Sequence, residues 1–182
     1  MLQRRLENRL GELLEKSTPR QYAYGFYWYR EANKVAELFS MEFQLPINKV
    51  IGVMAALSPN NKWERNIIDT RLFLESPSLE TKVCTFKGQR LKALKILLAH
   101  DSTEIESILH GRKTISFFNN ILNYQSNRVV TVDLWMFRIA ELPTSKANYE
   151  MISKAVKNVA VKNNLLPHQL QAIVWSVVRP NK

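Results

Sequence analysis

Gly111-Arg112-Lys113-Thr114 and, further on, Val129-Val130-Thr131-Val132-Asp133 are the two stretches whose reading decides the fold. The first is a glycine break after which a helical pattern resumes over 114–123, with Ile115, Phe118, Ile121 and Leu122 inward. Just before it, Asp101-Ser102-Thr103-Glu104 resembles a helix-start signal for a short helix at 105–109. Helix, short glycine-containing hairpin, helix is therefore the expected unit across about 103–124. The second stretch is the only strand-like run in the chain, and it is too short to found a sheet. The fold class expected is all-α.

Segments on either side agree. Leu2, Leu6, Leu10, Leu13 and Leu14 make one apolar stripe, ended by Ser17-Thr18-Pro19. From Gln21 an aromatic cluster (Tyr22, Tyr24, Phe26, Tyr27, Trp28, Tyr29) runs on with helical spacing through Ala32, Val35, Ala36, Leu38 and Phe39. Pro46 marks a helix start, and residues 50–57 are apolar on most faces, as a central buried helix requires. Ser58-Pro59-Asn60-Asn61 is a turn before a helix at 63–74. Further helices are expected at 89–99, 133–141, 146–163 and 167–178. No fixed-period repeat or low-complexity tract occurs, so residues 1–182 read as a single helical domain.

Composition limits the function. With 182 residues and 46% apolar content the chain can build a real core. No window is long enough to span a membrane, and the opening Met1-Leu2-Gln3-Arg4-Arg5 lacks a secretory apolar region, so a cytoplasmic location is expected. The formal net charge of +10, from 26 Lys and Arg against 16 Asp and Glu, predicts attraction to polyanions, nucleic acid first among them. A single cysteine, Cys84, rules out an internal disulfide and an iron–sulfur cluster, which needs about four thiolates. It reads as a small buried filler. The three histidines are scattered and show no metal-ligand spacing. No metal and no cofactor is expected.

Each candidate motif has a plain structural reading beside the functional one. A helix start after a glycine turn presents backbone N–H groups to an anion, and Arg112 and Lys113 add charge beside it. The plain reading is a helix corner with a glycine C-cap. Asp133 opens a helix and so reads as an N-cap, or else as a carboxylate shielded by Val132, Trp135 and Met136. Arg138 is placed to pair with an acid or a phosphate. Asn60 and Asn61 serve the backbone of their turn, or enter a duplex to fill the gap of an extruded base. The aromatic cluster reads mainly as core, with base stacking as the other use, and Trp175 reads as core.

Taken in order, these segments resemble the helix-hairpin-helix DNA glycosylase superfamily, in its endonuclease III-like form. Leu57-Ser58-Pro59-Asn60 followed by Asn66 looks like the segment beginning the helix that carries the wedge residue. Gly111-Arg112-Lys113-Thr114 looks like the end of the hairpin and the start of its second helix. Val132-Asp133 with Phe137-Arg138, inside about 129–141, is similar to the segment of the catalytic aspartate. The resemblance implies a two-lobed helical fold, double-stranded DNA as partner, and a base flipped into a cleft between the lobes. It makes Asp133 the catalytic carboxylate and Lys113 the counterpart of the lysine that attacks the sugar in members with lyase activity. Asn60, Asn61, Gly111, Arg112, Thr114 and Arg138 become the DNA-binding set.

Departures from the pattern are specific. Ser107-Ile108-Leu109-His110-Gly111 stands where the hairpin normally carries two glycines, and Trp135 replaces a histidine. Residues 1–45 match no motif of that superfamily. The chain is also similar to small phage and bacterial proteins, which adds the host cytoplasm as a location. The expected function is base excision from DNA by a monomeric enzyme. A phage enzyme that modifies DNA bases on the same fold, and a DNA-binding module without chemistry, are the alternatives.

Overall fold

The computed structural model describes residues 1–126 and 128–179. Among the described residues all regular structure is helical and no strand occurs, so the all-α class holds. In chain order the helices are α1 (Leu2–Glu15), α2 (Pro19–Phe43), α3 (Ile47–Leu57), α4 (Trp63–Glu75) and α5 (Lys87–Leu98). They continue with α6 (Ser102–Leu109), α7 (Arg112–Leu122), α8 (Leu134–Ala140), α9 (Lys146–Lys162) and α10 (Pro167–Val178). The chain divides into two compact units: one joins Met1–Glu31 to the chain from Asn123 onward, the other is Ala32–Leu122. The division falls inside α2.

In the Ala32–Leu122 unit, α3 is the hub. Every residue from Val50 to Leu57 is buried, because the helix is apolar all round and packs against α4, α5, α6 and α7. Gly52 sets its closest approach: a Cβ there would stand 2.7 Å from Ile96 Cγ2 and 2.9 Å from Ile105 Cγ2. Asn66 on α4 is buried and donates its side-chain amide to Met54 O at 3.0 Å, while accepting from Thr70 Oγ1 at 3.2 Å. A core polar group is thereby satisfied and fixes α4 on α3.

The other unit is built on α1, the first half of α2, α8, α9 and α10. One apolar cluster joins Leu6 and Leu10, Val130 and Val132, Met136 and Phe137, Ile152 and Val156, and Ile173. Gly25 on α2 meets α10 so closely that a Cβ would sit 2.3 Å from Ile173 N, a backbone contact only glycine permits. Tyr29 Oη donates to Gln171 Oε1 at 3.0 Å beside it. Thr18 and Gln21 start α2 with a reciprocal cap ahead of Pro19: Gln21 Oε1 accepts from Thr18 N, and Thr18 Oγ1 from Gln21 N. His168 is buried against Tyr29, and burial pushes its pKa down to about 4.

Several expectations are corrected. Val129-Val130-Thr131-Val132 is not a strand; Tyr149 Oη donates to Val130 O at 3.0 Å and accepts from Val132 N at 3.4 Å, doing what a neighbouring strand would do. Cys84 is exposed and not a filler. The aromatic cluster is only partly core: Tyr29 is buried, but Tyr22, Tyr24 and Tyr27 are exposed. Trp175 is half-buried beneath Arg179, whose guanidinium lies 4.5 Å from the ring centroid.

Candidate functional site

The hairpin is the turn between α6 and α7. Asp101 caps α6 by accepting from Glu104 N at 2.9 Å, and Glu104 reciprocates by accepting from His100 N at 2.7 Å. At the other end, Lys92 Nζ donates to Leu109 O at 2.8 Å and settles one of the terminal carbonyls. His110 and Gly111 then turn the chain with positive φ angles of 48° and 83°. Gly111 O accepts from Ile115 N to open α7, and Gly111 has no side chain to place over the first turn. Gly111, Arg112 and Lys113 are all exposed, and Thr114 is half-buried. Leu109, at the position where a glycine would stand in the resembled hairpin, is buried. Asn119 holds the two helices together by donating to Glu106 Oε1 at 2.8 Å.

The turn after α3 separates the two asparagines. Asn60 is exposed and sits in the left-handed region at φ 59°, a conformation asparagine tolerates. Asn61 turns inward: its amide donates to Asp69 Oδ2 at 2.9 Å and to Leu57 O at 3.3 Å. Asp69 is a centre that sequence reasoning missed. Its fully buried carboxylate accepts from Asn61, from Arg65 Nε at 2.7 Å and from Cys84 N at 2.8 Å. The Arg65–Asp69 spacing of one helical turn was the available signal. The partners Asn61 and Cys84 lie eight and fifteen residues away, beyond one helical turn, and leave no local trace.

Asp133 is half-buried at the start of α8, and its Oδ1 accepts from Met136 N at 3.0 Å. The carboxylate is a cap in this conformation, as its plain reading required. Val130, Thr131 and Val132 before it are buried, and so are Met136 and Phe137 after it, so it stands at the edge of an apolar core. Arg138 is exposed, with its guanidinium 4.7 Å from the Trp135 ring centroid. Glu141 ends α8 in the left-handed region, and Arg5 and Arg9 of α1 both pair with it. Hydrogen bonding to Arg9, more than to any other partner, holds the Glu141 carboxyl below its ordinary pKa.

The candidate residues therefore form two groups. Asn60, Asn61, Gly111, Arg112, Lys113 and Thr114 lie in the Ala32–Leu122 unit, whereas Asp133 and Arg138 lie in the other. Among the described residues no group of three or more His, Cys, Asp or Glu is arranged to hold a metal ion, and no helix is long and apolar enough to cross a membrane. Residues 1–182 match a family described as a family of unknown function, DUF7178. No curated protein and no solved structure matches the chain.

Proposed function

The chain belongs to this family, whose function is unknown, and we propose, from the helix starts described above, that it is a DNA-binding base-excision enzyme with the architecture of the helix-hairpin-helix glycosylases. The observation that carries the reading is the start of α7, where exposed Gly111, Arg112 and Lys113 follow a tight turn in a chain of net charge +10. First-turn N–H groups and two cations at one exposed helix end suit a backbone phosphate. Docking there is electrostatic and weakens with salt. Asn60, exposed on its turn, is the residue that fills the stack when a nucleotide leaves it.

Asp133 supplies the chemistry. As the N-glycosidic bond breaks, positive charge grows on the sugar, and a carboxylate at the rim of an apolar core stabilises it more than water would. The base departs with the bonding electron pair and water adds at C1′, one proton of that water staying in the new hydroxyl and the other ending on the released base. If Lys113 attacks C1′ instead, the base leaves and a Schiff base forms, which permits strand cleavage. The capping bond at Asp133 Oδ1 favours a second reading, in which the chain binds DNA without chemistry.

Duplexes carrying uracil, oxidised, alkylated or 5-modified bases, with borohydride to trap Schiff bases, separate these readings. The proposal expects base release that Asp133→Asn abolishes. A trapped adduct lost in Lys113→Ala identifies the lyase branch. Duplex binding without release on any substrate identifies the binding module, and failure to bind duplex at low salt overturns both.

A further inference from the structure

The first half of α2 has one face in the core and one in water. Gly25 is in backbone contact with α10, and Tyr29 is buried and bonded to Gln171. Arg20, Tyr24 and Tyr27 follow one another at helical spacing on the outer face and are exposed, the two rings to 47% and 45%. Arg30 places its guanidinium 5.6 Å from the Tyr27 ring centroid. No Asp or Glu occurs from Pro19 to Arg30. At the first turn, Gln21 Nε2 donates to Ser176 O and Ser176 Oγ to Gln21 O, next to the Arg179–Trp175 stack.

Single exposed aromatics are ordinary, but neighbouring tyrosines flanked by arginines, with the first acid, Glu31, a full turn beyond Tyr27, are a patch with a chemical preference. Such a surface suits flat, electron-rich rings joined by an anionic backbone. Tyr24 and Tyr27 are separated by about 4.5 Å along the helix axis, just above the ~3.4 Å step of a stacked strand. We infer that this outer face of α2 is a stacking surface for the bases of single-stranded DNA, with Arg20 and Arg30 on the phosphates. The inference rests on the DNA-binding reading above and adds to it a site for unpaired bases. Stacking tolerates any sequence because every base offers a π-face.

The test is fluorescence anisotropy of labelled oligothymidylate and of a blunt duplex, at one salt concentration, with the full chain. Tyr24→Ala with Tyr27→Ala is expected to weaken oligothymidylate binding by about tenfold per ring removed. Duplex affinity stays within about twofold, since its contacts are phosphate contacts at α7. The double leucine variant, which keeps bulk without a π-face and guards against loss of folding, is expected to behave like the alanine one. The double phenylalanine variant keeps binding within about threefold, because the ring and not the hydroxyl does the work. Unchanged oligothymidylate binding in the alanine and leucine variants, with duplex binding intact, overturns this inference alone. So does a loss in the phenylalanine variant as large as in the alanine one. A wild-type chain that binds neither nucleic acid removes the DNA-binding reading and this inference together.

Discussion

Two helix starts carry the candidate chemistry, and the chain builds them in opposite ways. α7 begins after a glycine, with Gly111, Arg112 and Lys113 exposed. α8 begins under its own carboxylate, with Asp133 half-buried and bonded to Met136 N. A glycine-led helix end with exposed cations is suited to an anion from outside. A capped end serves folding first, and any further role must be compatible with the cap. The difference teaches that at α8 one side chain must serve both the cap and any further role, whereas α7 opens on a glycine that has no side chain to commit.

The sharpest way to break that contrast is Asp133→Asn. Asparagine caps as well as aspartate, so the melting temperature is expected to stay within about 2 °C while base release falls by about 10³-fold. Equal activity of the two proteins, read in single-turnover assays, would leave Asp133 as a cap alone. Next in size is Asp69→Ala, beneath the turn that presents Asn60. Asp69 accepts from three donors, one of them charged, and stripping it away costs about 3 kcal/mol by urea titration. A cost under about 1 kcal/mol would mean that water replaces the carboxylate.

Acid discriminates between the units. His168, in the unit that contains α8, has its pKa pushed down to about 4 by burial. Between its unfolded value of about 6.5 and 4 the unfolded chain takes up a proton that the folded chain refuses. Its contribution is complete above pH 6.5 and lost as pH falls towards 4, about 3 kcal/mol in all. His168→Gln is expected to flatten the pH dependence of stability across that window, and an unchanged curve would refute the assignment. The smallest effect is at the hairpin. His110 holds φ 48° and ψ 150°, a region that suits glycine, so His110→Gly is expected to raise stability by about 1 kcal/mol. A loss instead would show that the imidazole supports the turn.

Much of the fold was legible in the sequence. The apolar run at 50–57 read as a central buried helix, which α3 is, and Asp101 with Glu104 announced α6 by cap chemistry. The tyrosines were not legible: their spacing fixes a helix, but only the Gly25–Ile173 contact decides which face lies inward. Cys84 and Asp69 depend on a loop whose position is set by long-range bonds. At the candidate site the sequence placed Gly111, Arg112, Lys113 and Asp133 at helix starts. It could not say that Asn61 faces inward while Asn60 faces water, since that choice lies with Asp69, folded beneath the turn.

One measurement tests the division between the two helix starts most directly: duplex affinity as a function of salt for the wild type and for Arg112→Ala with Lys113→Ala. If α7 holds backbone phosphate, the slope of log affinity against log salt becomes shallower by about 1.8, two contacts at about 0.9 each, and Asp133→Asn leaves the slope unchanged. Equal slopes for the wild type and the double variant would contradict the account.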